Sequence, residues 1–75
     1  MKRLYRVCSN AMDFYVVEDW DTDEAITVDW DLSDDEEETL VKSFENETLD
    51  FTANGGEWIP VDEAYKGLFA KTLLA

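Results

Sequence analysis

RLYRVCSNAMDFYVVEDWDTDEAITVDW, residues 3–30, decides the fold of this 75-residue chain. Two segments in it, 3–8 and 12–18, are rich in aromatic and β-branched side chains, which favour strands. The three residues between them, Ser-Asn-Ala at 9–11, are typical of a short turn. The pattern therefore predicts a β-hairpin.

A third strand is predicted at Ala25–Trp30. Ile26, Val28 and Trp30 alternate there with Ala, Thr and Asp, so the three large apolar side chains are expected on one face. Asp19–Glu24 is read as a charged connection. We therefore expect a three-stranded antiparallel sheet as the centre of the fold.

A helix is predicted over about 33–46. Ser33 and Glu36 have the spacing of a capping box, in which the hydroxyl and the carboxylate each accept a hydrogen bond from a free backbone N–H at the helix start. The apolar stripe of this helix consists of Leu40, Val41 and Phe44.

The rest of the chain predicts a hairpin and a second helix. Leu49–Phe51 and Glu57–Ile59 read as short strands around an Asn54-Gly55 turn, and an apolar stripe predicts a helix from about Asp62 to Leu73. The stripe consists of Tyr65, Leu68, Phe69 and Leu73. The expected fold is a single α+β domain over residues 1–75, with an antiparallel sheet of about three to five strands and two helices.

The charge of the chain is concentrated in one segment. Thirteen acidic side chains and no lysine, arginine or histidine lie between Val7 and Val41, and the rest of the chain is balanced, so this segment accounts for the net charge of −13. Concentrated like charge repels itself in a compact protein, which indicates that the acidic field has a use. Nucleic acid and anionic membranes are excluded as direct partners, because both are negative.

Several other classes of function are disfavoured. A chain this short offers little volume to bury a catalytic carboxylate, and it has no histidine to activate its single cysteine, Cys8. We therefore expect the protein to have no enzymatic activity. We also expect no cofactor. The single cysteine and the lack of a long apolar run predict a cytoplasmic protein. Both a monomer and a homodimer are compatible with the sequence.

Alternating acids suggest rows of carboxylates. In extended backbone, Asp19, Asp21 and Asp23 would share one face and Asp29 and Asp31 would form a second row, spaced like the phosphates of a nucleic acid. The first three also match the opening of a calcium loop, but Glu24 stands where that loop needs glycine, which leaves at most weak binding of divalent cations. The predicted partner-binding residues are Asp19, Trp20, Asp21, Asp23, Glu24, Asp29, Asp31, Asp34, Asp35, Glu36, Glu37 and Glu38.

Two tryptophans sit between aspartates. Trp20, in the charged connection, is predicted to be an exposed anchor that stacks on an arginine of the target. Trp30, on its apolar strand face, is expected in or beside the core, as is Trp58.

In size, charge and charge distribution the chain resembles the small acidic DNA-mimic inhibitors of phages and mobile elements, such as anti-restriction, anti-CRISPR and uracil-DNA glycosylase inhibitors. The resemblance rests on no sequence motif. It implies an inhibitor that occupies the basic nucleic-acid-binding site of a host defence or DNA-repair protein, inside a phage-infected or element-carrying bacterial cell. The alternative is an acidic adaptor or regulatory module that binds a basic surface without competing with nucleic acid.

Overall fold

The computed structural model describes residues 1–9, 12–65 and 70–75. Within them, five strands form one antiparallel sheet accompanied by two helices, which confirms the predicted α+β fold. The elements are β1 (Lys2–Cys8), β2 (Asp13–Asp19), β3 (Glu24–Trp30), α1 (Asp34–Glu45), β4 (Ile59–Pro60), α2 (Val61–Ala64) and β5 (Ala70–Leu73). Across the sheet the strand order is β4-β3-β2-β1-β5.

The central strand β2 is buried on both faces of the sheet. Its side chains from Tyr15 to Glu18 are all buried, although they alternate between the two faces. A strand covered on both sides carries a continuous apolar run instead of an alternating one, which explains the sequence Phe-Tyr-Val-Val at 14–17. The predicted strands at 3–8, 12–18 and 25–30 are confirmed to within two residues.

One face, here called the α1 face, carries the larger core. Its buried side chains are Leu4, Tyr15, Val17, Ile26 and Val28 of the sheet together with Leu40 of α1. The capping box at the start of α1 is present: Ser33 N donates to Glu36 Oε1 at 3.0 Å, and Glu36 N donates to Ser33 Oγ at 3.3 Å. The predicted first helix is therefore confirmed.

The opposite face, here called the α2 face, has a smaller core. Val7, Val16 and Ala25 are buried there, and Val61 and Ala64 of α2 pack against them. Half-buried Tyr5, Phe14 and Tyr65 complete this cluster. Among the described residues, one helical turn covers this cluster, and Trp20, Trp30 and Leu73 on the same face are exposed.

The expected burial of Trp30 is wrong, because the β2–β3 register shifts. Val16 pairs with Thr27 but Tyr15 pairs with Asp29, so Val28 is an extra residue on β3. One extra residue reverses the alternation of faces beyond it. Trp30 consequently lies opposite Phe14, away from Ile26 and Val28, and 44% of its surface is exposed.

The predicted hairpin around Asn54-Gly55 is also wrong. Residues 49–58 form no strand, and Gly55 N donates to Thr52 O within a turn. The apolar side chains reach the core without a ladder: Phe51 and Trp58 pack edge to face, 5.7 Å apart, against the α1-face cluster. This segment is held by side-chain packing and not by strand pairing. Asn54 Nδ2 also donates a hydrogen bond to Val28 O at 2.6 Å.

The predicted helix over Asp62–Leu73 is confirmed at its start, since α2 begins at Val61, and is wrong at its end. The helical turn stops at Ala64, and Ala70–Leu73 is a strand paired with β1, with Leu73 opposite Tyr5. Leu68 and Phe69, half of the predicted apolar stripe, lie outside the described residues. Pairing with β1 satisfies backbone groups along β5. This tertiary interaction outweighs the helical periodicity of the apolar residues, in a segment where Gly67 already lowers helix propensity.

Candidate acidic binding surface

The predicted binding residues lie in two clusters at opposite ends of the β2–β3 hairpin. The turn cluster comprises Asp19, Asp21, Asp23 and Glu24, and the helix cluster comprises Asp29, Asp31, Asp34, Asp35, Glu36, Glu37 and Glu38. Strands of seven residues separate them, a distance of about 20 Å at roughly 3.3 Å per residue. The structure therefore brings together two groups, and not one continuous track.

The turn cluster is not the extended row of carboxylates that the alternation predicts. Residues 20–23 form the turn between β2 and β3, where Asp21 N donates to Asp19 Oδ1 at 3.0 Å and Asp23 has a left-handed φ of 58°. Lys2 Nζ lies 3.7 Å from Asp19, and the N-terminal amino group binds Asp21. Tight turns place aspartates in this way because the side chain satisfies local N–H groups.

The helix cluster presents its carboxylates from rigid backbone. Asp34, Asp35 and Glu36 occupy the first turn of α1, where the positive end of the helix dipole stabilises negative charge. The backbone N–H and hydroxyl of Ser33 hold the pKa of the Glu36 carboxyl below its usual value. These fixed positions make the cluster a persistent source of negative potential.

Asp31 joins the helix cluster to the sheet and breaks the second predicted row. It has a left-handed φ of 48°, so it does not continue the strand face that carries Asp29. Its N–H donates to Asp13 O at 3.0 Å, and its Oδ1 accepts from Asp13 N at 3.2 Å. Asparagine and aspartate adopt this conformation more readily than other non-glycine residues, which accounts for the residue type here.

Few bases counter the helix cluster. Arg6 lies 3.7 Å from Glu37 and 2.5 Å from Asp13, and Lys42 lies 3.0 Å from Glu38 one helical turn away. Within residues 1–9, 12–65 and 70–75, no ion pair involves Asp29, Asp31, Asp34 or Asp35. Asp34, Asp35 and Asp31 are also exposed, so their charge faces solvent.

The chain's other described bases are also engaged internally. Lys71 contacts Glu18, and the Arg3 guanidinium lies 5.3 Å from the centre of the Trp20 ring. Trp20 is exposed over 53% of its surface as predicted, but Arg3 covers its ring and its Nε1 donates to Glu18 at 3.2 Å. A target arginine would have to displace Arg3, which makes Trp20 a poorer anchor than the sequence indicates.

One polar site was not predicted: the Glu18 network, formed by Glu18, Trp20, Tyr65 and Lys71. The Glu18 carboxylate, 5% exposed, accepts from Tyr65 OH at 2.7 Å and Lys71 Nζ at 2.8 Å as well as from Trp20. Burial by itself raises the pKa of the Glu18 carboxyl, but the three donors outweigh burial and hold that pKa below its usual value. Burial, followed by the adjacent carboxylate, raises the pKa of the Tyr65 hydroxyl, which keeps it a donor.

The sequence holds only a faint signal of this network. Glu18 ends an apolar strand run, but its partners are 47 and 53 residues away, beyond the reach of any local pattern. The network links β2, β5 and the residue after α2, so its evident role is to fasten the C-terminal segment to the sheet. A buried carboxylate with three donors fits that role because each hydrogen bond offsets its desolvation.

In the described part of the chain, no three His, Cys, Asp or Glu side chains converge as metal ligands would, and no helix there has the length and apolar character needed to span a membrane. Comparison of the chain with protein-family models, curated proteins and solved structures gave no significant match.

Proposed function

We propose that this protein is an acidic inhibitor that occupies the nucleic-acid-binding site of a basic protein and excludes the nucleic acid. The observation that carries the proposal is the helix cluster. In it, Asp31, Asp34 and Asp35 are exposed, make no ion pair among the described residues, and are held at a strand end and on a capped helix. Charges fixed in advance bind a basic groove at a lower entropic cost than charges on a flexible tail.

The spacing of the two clusters supports the same proposal. A separation of about 20 Å corresponds to about six phosphates along one strand of a duplex, at a rise of about 3.4 Å per nucleotide. A groove that holds a nucleic-acid backbone carries lysines and arginines over such a length. Among the described residues, two of the seven carboxylates of the helix cluster are ion-paired, against two of the four in the turn cluster. The helix cluster is therefore the principal contact and the turn cluster the secondary one.

The proposed setting is the cytoplasm of a bacterial cell that carries a phage or mobile element, and the target is a defence or DNA-repair protein. A second candidate is an acidic adaptor that binds alongside the nucleic acid. The exposed apolar side chains of Met12, Trp30 and Leu73 favour it, since adaptors rely more on apolar contact.

The test begins with capture of the target from a bacterial lysate on immobilised protein, followed by competition with a labelled duplex and a labelled single strand. An inhibitor of the proposed kind displaces one of these labelled probes from the captured target, and its affinity falls at least about tenfold between about 50 and 200 mM salt. A ternary complex with bound nucleic acid would instead establish the adaptor.

A matched pair of variants assigns the effect to the helix cluster. Neutralising Asp34, Asp35 and Glu38 (D34N/D35N/E38Q) should weaken displacement much more than neutralising Glu45, Glu47 and Asp50 (E45Q/E47Q/D50N), which removes the same charge from exposed positions elsewhere. Equal losses would show that net charge alone, and not the helix cluster, determines binding.

A further inference from the structure

A cleft lies between β3, the 56–59 segment and α2. Its volume is about 280 Å³, and Trp30 stands at its wall with nearly half of its surface exposed. The other lining residues are Val16, Ala25, Ile26, Thr27, Gly56, Glu57, Ile59 and Ala64. We refer to it as the Trp30 cleft.

The floor of the Trp30 cleft depends on Gly56. A Cβ at this position would lie 2.5 Å from Thr27 O and 3.1 Å from the Ile26 side chain, so only glycine lets the segment approach β3 this closely. This close approach sets the position of the 56–59 segment against β3, and the two form one side of the cleft, with Ala64 of α2 also in its lining.

The lining shows what kind of group fits. Among the described residues that line the cleft, Glu57 is the one with a charge, and it is exposed. At about 280 Å³ the cleft lies at the lower edge of the roughly 300–1,000 Å³ typical of small-molecule sites, and it has room for one long side chain. A long apolar stem with a cationic head matches apolar walls and one carboxylate.

We propose that the Trp30 cleft binds one arginine side chain of the basic partner, with the guanidinium stacked on the indole of Trp30 and paired with Glu57. The proposal rests on the proposed function only in that the partner is basic. Arginine is favoured over lysine because its planar group stacks on an aromatic face and pairs with a carboxylate at the same time. Asp29 and Asp31, the neighbours of Trp30 along the chain, add attraction for a cation.

The same chemistry is less available at Trp20. There the chain's own Arg3 guanidinium already lies over the ring, 5.3 Å from its centre. Among described residues no such cation–π contact is found at Trp30. The anchor predicted at Trp20 is thereby moved to Trp30, at the opposite end of the hairpin and beside the helix cluster.

The test uses a capped pentapeptide with one arginine between pairs of glycines, and its lysine and citrulline counterparts, titrated into the full chain. The readouts are the NMR signals of the Trp30 indole N–H and of the Ile59 and Ala64 methyl groups. We expect saturable shifts of these signals with the arginine peptide, binding at least threefold weaker with lysine, and at least tenfold weaker with citrulline, which keeps the shape but lacks the charge. Equal shifts with arginine and citrulline, or shifts confined to the two acidic clusters, would overturn the proposal.

Variants locate the binding to the cleft. Trp30→Ala should weaken arginine-peptide binding at least tenfold, and Glu57→Gln, at an exposed position where the fold is not at risk, should weaken it at least threefold. Glu63→Gln removes an equal charge from α2 outside the cleft and should leave binding unchanged. Unchanged binding in Glu57→Gln would refute the pairing whether or not Trp30→Ala folds. Because no nucleic acid enters this experiment, failure of the competition test leaves its result intact.

Discussion

Lys71 on β5 donates to the buried carboxylate of Glu18 on β2, with 2.8 Å between Nζ and Oε2, across the intervening strand β1. The ammonium also lies 4.5 Å from the centre of the Tyr5 ring and 4.9 Å from that of Tyr65. The Lys71 ammonium on β5 thus contacts Tyr5 of β1, Tyr65 after α2 and the central strand β2. The C-terminal segment is anchored by this contact in addition to its backbone pairing with β1.

Glu18→Gln should therefore destabilise the protein, by about 2–3 kcal/mol at pH 7, because hydrogen bonds to a charged group are replaced by weaker ones. The folded-state pKa of Glu18 lies below its usual value, so its ionisation adds stability above the unfolded-state pKa, and this stability is lost as pH falls through the folded-state pKa. The stability gap between wild type and variant should shrink below about pH 4.5. Denaturant unfolding at pH 7 and pH 3 measures it, and an equal gap at both would assign the loss to packing.

Replacement by alanine should lower the stability of the protein by different amounts at Gly55 and at Gly56. Gly55 has a φ of 78° with open space around it, so Gly55→Ala should cost about 1 kcal/mol of backbone strain, and Gly55→Asn less. Gly56→Ala drives a methyl group into Thr27 O and should cost about 2–3 kcal/mol. Thermal or denaturant melts of the three variants check this order, and a larger loss for Gly55→Ala would contradict it.

Local patterns predicted the elements whose stabilising contacts are also local. The β1–β2 hairpin and the capped start of α1 follow from residue types a few positions apart, and both are present. The prediction of a C-terminal helix failed because β5 is held by β1 and by Glu18, and both are distant from β5 in sequence. The prediction of a hairpin over 49–58 failed because Phe51 and Trp58 pack on the core while the backbone of this segment forms no strand pairing.

The candidate site was predictable in composition but not in arrangement. Counting charges identified the acidic residues and placed Asp19–Glu24 in a connection, yet the tight turn at 20–23 breaks the row that the alternating aspartates predict. The extra residue on β3, Val28, moved Trp30 to the other face. One-residue register shifts leave the composition unchanged, so an anchor residue cannot be chosen from alternation alone.

Neutralising the exposed acids of α1 should separate stability from binding. The triple variant D34N/D35N/E38Q is expected to keep its melting temperature, because the relief of like-charge repulsion offsets the lost helix-dipole interactions and the lost Glu38–Lys42 pair, while the Ser33–Glu36 cap is spared. Ser33→Ala, by contrast, should cost about 1 kcal/mol through loss of the cap. Melting curves measure both, and a collapse of the triple variant would show that these acids are structural.

The three tryptophans should differ in both accessibility and the cost of removal. Trp58 packs on Phe51 and the α1-face core, so Trp58→Ala should destabilise the protein by about 3 kcal/mol through the cavity that it leaves. Trp20→Ala loses the hydrogen bond to Glu18 and the contact with Arg3, which together predict a loss of about 1–2 kcal/mol. The Trp30 side chain makes no hydrogen bond among the described residues, so Trp30→Ala should lower the free energy of unfolding by less than about 1 kcal/mol.

Single-tryptophan proteins, with phenylalanine at the other two positions, allow each indole to be measured separately by quenching with acrylamide. Trp30 and Trp20 should be quenched readily and Trp58 least, in keeping with their exposure. Addition of the arginine pentapeptide should then protect Trp30 and leave Trp20 unchanged, because Arg3 already covers the latter ring. Protection of Trp20 in place of Trp30 would return the anchor to the turn cluster and would make displacement of Arg3 the first step of binding.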